Sequence, residues 1–385
     1  KLGFTEKQLS GEFHVPEAKI LETNKDGKFI TIKYNFNDRK YNLKRYNIYV
    51  NDVPIFGASG KKIYGKIITK TEKLELTSGE NKIEITCINE NGAESFRALT
   101  YANYNQKVKN NLYYIGFGVS KYKDTSLNLS YADKDVTDLA EVFLKMKGKY
   151  ENVYIKTFLN DQVTIGNIKV AKKFLNDSKV DDIFVLFIAG HGVHDKDKDA
   201  TYYYLTHNSD IRNLSATAAD FASIEDLLQG IEPRNKLFLM DTCESGEIDD
   251  GKQDYFFAMS KQRGFKARTT RNIKTILKKN RTYLFKRDRY IYNDLIRRSG
   301  TIVFSSSKGG EFSYESDKLR NGFFTEEILR ALTDKNVDNN KDGIISINEL
   351  QQYVIKSVSK LSHNMQHPTV DRDNIYQKFG FPIVR

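Results

Sequence analysis

Val185-Leu186-Phe187-Ile188-Ala189-Gly190-His191-Gly192 and Leu237-Phe238-Leu239-Met240-Asp241-Thr242-Cys243-Glu244-Ser245-Gly246 decide how this chain is read. Each is an apolar run closed by glycine or a polar turn, the pattern of a strand buried on both faces of a parallel sheet. Open α/β sheets place their active sites at the carboxyl ends of such strands. One run therefore delivers His191 to that edge, and the other delivers Cys243. The pairing has a chemical meaning. A thiol attacks a carbonyl as thiolate, and a nearby imidazole both holds it ionised and passes a proton to the leaving amine.

Outward from these runs the pattern alternates. Strands are expected at 112–119, 152–157, 182–189, 236–241 and 301–306. Helices are expected at 133–147, 164–176, 223–229, 324–333 and 347–360. This order predicts an α/β fold over 111–385, a mostly parallel sheet flanked by helices. Residues 1–105 read differently. Ile30-Thr31-Ile32-Lys33-Tyr34, Tyr46-Asn47-Ile48-Tyr49-Val50 and Lys82-Ile83-Glu84-Ile85-Thr86 alternate with period two, and turns such as Lys25-Asp26-Gly27 and Ser78-Gly79-Glu80-Asn81 separate them. That predicts a small all-β sandwich, joined to the rest through the polar Asn103–Asn111 stretch.

Several segments in order carry a family likeness. They are Asn111–Ser120, Ala132–Ala140, the His-Gly and Asp-Thr-Cys motifs, Thr301–Ser307 and Asn321–Thr325. Over residues 111–385 the chain resembles a caspase-like cysteine peptidase of the prokaryotic, metacaspase-related kind (clan CD). Cys243 follows His191 by 52 residues, close to the separation of about 50 known from caspases. The resemblance implies a caspase-like sheet, His191 and Cys243 as the catalytic dyad, and an oxyanion site made by the backbone N–H groups of Gly192 and Cys243. It also implies a backbone carbonyl orienting the imidazole, since no third polar residue is evident. Glu244 and Val193 depart from the family pattern, which usually has His and often Gly there. Leu74–Ile85 resembles the penultimate hairpin of bacterial immunoglobulin-like modules, which implies a spacer or docking role for the first domain.

Specificity is expected to follow charge. Asp241 lies two residues before Cys243 on one strand, so both point to one face. In metacaspase-like enzymes an acid there lines the pocket for the residue before the cut. Asp135 matches the second pocket acid, and Asp133 is a weaker candidate. Two carboxylates in a cleft attract Arg or Lys and reject Asp. The bland alternatives are a strand-end cap for Asp241 and a first-turn helix acid for Asp135.

The net charge is +11, with 39% hydrophobic residues. From Lys252 to Arg298 the chain carries 15 Lys and Arg against Asp254, Asp288 and Asp294, so the excess sits in one insertion, 251–299. The folded parts balance, which disfavours a nucleic-acid face. In the caspase pattern this insertion occupies the place of the linker that is cut during processing. Lys266, Arg268, Arg271, Lys278, Lys279 and Arg281 are candidate self-cleavage sites. The alternative is a solvated, partly helical insertion. The only cysteines are Cys87 and Cys243, so no disulfide framework exists. No apolar stretch approaches the ~18 residues of a membrane helix. A bacterial cytoplasmic setting is expected, with a secreted or periplasmic one left open. The chain starts at Lys1, which leaves room for a longer precursor of which it is the C-terminal part.

Asp338–Glu349 fills the 12-residue EF-hand template. Asp338, Asn340, Asp342, Ser346 and Glu349 supply side-chain oxygens, Ile344 a carbonyl, and Gly343 the turn. A local explanation competes, because Ser346-Ile347-Asn348-Glu349 is a capping box. The full match favours calcium, while the peptide chemistry itself needs no cofactor. The sequence therefore reads as a cysteine endopeptidase that acts on proteins or peptides after Arg or Lys. The rivals are a catalytically silent peptide-binding scaffold and a nucleic-acid tether.

Overall fold

The computed structural model describes residues 14–195, 201–244, 259–260, 262–268, 299–308, 311–370, 374 and 376–384. Its centre is the sheet that the two apolar runs predict. The strands lie in the order Val153–Leu159, Leu112–Gly118, Ile183–His194, Asn235–Glu244, Ile302–Ser305, Thr369–Val370. All neighbours run parallel except the last pair. The period of two sorts the side chains. Tyr114, Val185, Phe187, Leu237 and Leu239 enter one buried layer, shared with the helices Ala132–Leu144, Phe323–Thr333 and Ile347–Leu361. Ile115, Phe184, Leu186, Ile188 and Phe238 enter the other, under Ile165–Ala171 and Phe221–Asp226. Both faces are covered, so the strands are continuous apolar runs rather than alternating ones. Truncating a core residue such as Leu239 to Ala is worth ~2–5 kcal/mol of stability.

Two expectations shift. The 182–189 strand runs on through the Gly-His-Gly turn to His194, because Tyr202–Tyr204 pairs antiparallel with Gly192–His194. The expected 164–176 helix is α-helical only over Ile165–Ala171 and tightens into a 3-10 turn at Lys172–Leu175.

Residues 17–104 form two antiparallel sheets. One holds Glu17–Asp26, Phe29–Asn37 and Ile67–Glu75. The other holds Val53–Pro54, Leu43–Val50, Gly79–Asn89 and Ala98–Tyr104, with Lys61–Gly65 alongside. Ile32, Tyr34 and Phe36 of the first pack with Tyr46, Ile48 and Ile85 of the second in one core. Cys87 is buried there, and burial pushes its thiol up to about 12, so it stays protonated and unreactive. Contacts between this β region and the α/β part include Ser78 N–H donating to Asp181 at 2.8 Å, Arg234 to the Glu75 carbonyl at 2.6 Å, Asn374 to the Asn51 carbonyl at 3.0 Å, and the Ala58 N–H to the Gln229 side chain at 3.3 Å.

Candidate active site

Strand register brings the two proposed reacting residues together. His191 and Cys243 are direct partners across the parallel pair Ile183–His194 and Asn235–Glu244, and adjacent strands lie ~4.8 Å apart. The described part of Cys243 is its backbone. Gly190 sets the approach to His191. Its φ is +149°, and a Cβ would meet the Tyr122 hydroxyl at 2.8 Å and the Tyr204 ring at 3.2 Å, so glycine is needed at this bend. The same Tyr122 hydroxyl accepts the His191 N–H at 3.0 Å, and the two rings pack 5.2 Å apart.

The imidazole is fully buried. Its Nε2 lies 2.8 Å from the Leu127 carbonyl. A carbonyl can only accept, so Nε2 carries the proton and Nδ1 is the free base of the neutral ring. Nδ1 is buried and makes no hydrogen bond to any described residue. Burial lowers the ring to about 4, outweighing the Leu127 and Arg268 backbone carbonyls that favour its protonated form, and the nearby Arg268 guanidinium lowers it further. At neutral pH the ring is therefore a neutral acceptor with one tautomer fixed. Leu127 is a functional group that sequence reasoning missed by position, though a backbone carbonyl was the expected kind of partner. Gly192 sits inside the extended strand, opposite Tyr204 and Glu244.

Asp135 and Asp241 meet in one buried pocket, and neither is solvent-exposed. Asp135 reaches it from the first turn of the Ala132–Leu144 helix, and Asp241 from the Cys243 strand. A third acid that sequence reasoning missed, Glu315, closes the set. The pocket is filled by this chain's own Arg268, which is itself fully buried. Its guanidinium bonds Asp135 directly, Asp241 at 2.9 Å and Glu315 at 3.3 Å. Burial works against its charge, but the three carboxylates together raise its pKa. The acids are held in turn. Ser313 and Thr325 hydroxyls donate to Asp241 at 2.7 and 2.9 Å, the Gly322 N–H donates to Asp135 at 3.0 Å, and the Ser130 N–H to Glu315 at 2.9 Å. Gly322 is the floor. A Cβ there would meet the Arg268 guanidinium at 2.6 Å and the Asp241 carboxylate at 2.7 Å. Burial pushes Asp135 up to about 7, against the pull of Arg268 and with a further push from the Asp241 charge.

Asp133 does not join the pocket. It accepts from the Ser120 hydroxyl at 2.6 Å and the Asn160 amide at 2.8 Å, tying the helix start to two strand ends. A residue two positions along a helix faces away from its neighbour, which is why Asp133 and Asp135 part company. In the basic insertion only 259–260, 262–268 and 299 are described, so Arg271, Lys278, Lys279 and Arg281 lie outside the described residues. The 338–349 loop is closed by its own bonds. Asp338 accepts from the Gly343 N–H and Asp342 from the Ile344 N–H, both at 2.8 Å, and Asn340 bonds Asp342. Ser346 and Glu349 form the reciprocal capping box of the Ile347–Leu361 helix. Among the described residues no three His, Cys, Asp or Glu side chains converge as a metal cage.

This architecture and its strand-end site define an α/β peptidase scaffold. The caspase-domain profile of the peptidase C14 family matches residues 115–379, and the chain belongs to that family. Membership implies protein or peptide substrates. No curated protein matches the chain significantly. Among solved structures it is similar to a protein from Geobacter sulfurreducens, a structural-genomics target, at 15% identity with a TM-score of 0.45, covering 71% of this chain and 100% of that one. Among the described residues no helix is long and apolar enough to cross a membrane.

Proposed function

We propose that this chain is a cysteine endopeptidase that hydrolyses peptide bonds after Arg or Lys by a Cys243–His191 dyad. The observation that carries the specificity is Arg268, seated with full burial among Asp135, Asp241 and Glu315. An Asp side chain in that position would face three like charges. Lys reaches the same acids with a point charge instead of a fork, so Arg is the better substrate.

The chemistry runs on groups already placed. His191 Nδ1, left unprotonated by the Leu127 contact, takes the Cys243 thiol proton. The thiolate adds to the carbonyl carbon of the substrate Arg, and the oxyanion is received by the N–H groups of Gly192 and Cys243. The imidazolium returns its proton to the leaving amine, and the amine departs to leave a thioester. Water, deprotonated by the same nitrogen, then releases the carboxylate and regenerates the thiol.

Self-processing follows as part of the reading. Arg268 is read as the residue before a cut, and its backbone N–H donates to the Ser313 carbonyl at 2.9 Å. Hydrolysis of the Arg268–Thr269 bond would divide the insertion. The β region before residue 105 is read as an immunoglobulin-like spacer or docking module.

The test is mass spectrometry of protein incubated after purification, alongside a fluorogenic Arg-peptide assay. The expected result is a new terminus at Thr269 and Arg-peptide turnover, both abolished by Cys243→Ala. Unchanged chains and no turnover in either protein would favour the catalytically silent scaffold. Salt-dependent DNA binding lost on deleting 260–290 would support the nucleic-acid tether instead.

A further inference from the structure

The chain before Arg268 lies in the cleft as an added strand. Lys266–Ala267 pairs antiparallel with Tyr314–Glu315, within a small sheet completed by Asn321–Gly322. Main-chain pairing of this kind gives sequence-independent affinity, and side-chain contacts supply the choice. Here the contacts are specific. Phe265, three residues before Arg268, sets its ring edge-on to Phe323 at 4.7 Å, with Tyr314 at 6.5 Å and His363 stacked at 6.2 Å. Phe323 and Tyr314 are buried parts of the main core, so they stay in place whatever segment lies over them. Lys266 reaches Asp317 at 2.8 Å, and Asp317 also accepts from the Tyr131 hydroxyl at 2.9 Å. Asp317 is largely exposed, so the site remains accessible when another strand replaces Lys266.

We propose that these groups form two further recognition sites of the proposed peptidase: an aromatic seat for the fourth residue before the cut, built by Tyr314, Phe323 and His363, and an acidic one for the third, built by Asp317 and Tyr131. The preferred substrate is thus an extended segment of the form aromatic, basic, small, Arg. This rests on the reading of Arg268 as a substrate-like occupant, and the test separates the two.

Binding is measured by calorimetry on protein carrying Cys243→Ala with Phe265→Ser, Lys266→Ser and Arg268→Gln, which removes turnover and takes the chain's own side chains out of all three seats. The probes are the C-terminal amides of Phe-Lys-Ala-Arg, Asp-Lys-Ala-Arg and Phe-Asp-Ala-Arg. Replacing Phe by Asp is expected to weaken binding about tenfold, in line with the loss of an aromatic cluster. Replacing Lys by Asp is expected to weaken it about fivefold, and Asp317→Lys is expected to reverse that preference. Turnover of the same peptides by the unaltered chain repeats the comparison in kcat/KM should the multiple variant fail to fold. If the three peptides differ by less than about twofold while Phe-Lys-Ala-Arg still outcompetes its C-terminal Glu analogue (Phe-Lys-Ala-Glu), the two extra sites are wrong and the Arg pocket stands. If Arg and Glu peptides bind alike, the Arg pocket itself is wrong, and the extra sites fall with it.

Discussion

Asp241→Asn is the perturbation that most directly probes the pocket. The substitution keeps the side chain's shape and removes one negative charge from a fully buried cluster. Asp241 is not a lone partner, since Asp135 and Glu315 also meet the guanidinium. Breaking a buried ion pair by removing one partner costs ~3–5 kcal/mol, and with two carboxylates remaining the lower end applies. About 3 kcal/mol corresponds to roughly a 100-fold loss in kcat/KM for an Arg peptide. The assay compares an Arg peptide with one carrying a neutral, similar-sized residue such as Gln before the cut. The neutral substrate gains nothing from Asp241, so its kcat/KM is expected to change little. A thermal melt guards against unfolding, because the Ser313 and Thr325 hydroxyls can still bond an amide at this position. A loss under about tenfold, or the same loss on both peptides, would refute the claim that this carboxylate reads the substrate's charge.

Gly322→Ala is expected to suppress Arg-peptide turnover at least as strongly, because the new methyl would occupy the space of the guanidinium and of the Asp241 carboxylate; a calorimetric titration with an Arg peptide checks it. Arg binding is also expected to depend on pH. Burial raises the Asp135 carboxyl to about 7 in the filled pocket, while the guanidinium charge favours its ionised form. Arg affinity is therefore expected to weaken as pH falls and Asp135 takes up a proton, and KM measured across pH for wild type and Asp135→Asn would show a slope only in the former. The His191 ring, held near 4 by burial, is expected to keep its acceptor role throughout that range. Ser346→Ala is expected to lower thermal stability by about 1 kcal/mol through loss of the helix cap. A calcium-dependent rise in Tm that Asp342→Ala removes would show that the same loop also serves a metal, and no such rise would leave the capping box as its whole role.

The readable parts of the sequence were those governed by local pattern. Strands buried on both faces announce themselves as apolar runs, and the helix and strand that carry Asp135 and Asp241 follow from ordinary periodicity. The unreadable parts depend on which distant segments meet. Glu315 lies in Tyr314-Glu315-Ser316 with no motif around it, and only the docking of that strand under Arg268 makes it a pocket acid. Arg268 itself was one cation among fifteen in the insertion; what singles it out is burial, which composition does not encode. The carbonyl of Leu127 is a backbone atom, and every residue has one. The extension of the His191 strand was hidden because its partner, Tyr202–Tyr204, carries no motif that marks it as a pairing strand.

The β region attaches at Asp181, Arg234 and Asn374, beside the amino ends of the strands that begin at Ile183 and Asn235. His191 lies eight residues further along its strand, about 26 Å at 3.3 Å per residue. The first unit therefore grips the sheet by the end opposite the proposed catalytic edge, so anything tied to it would leave that edge turned away. Swapping or lengthening the front unit is therefore expected to relocate the proposed cleft without reshaping it.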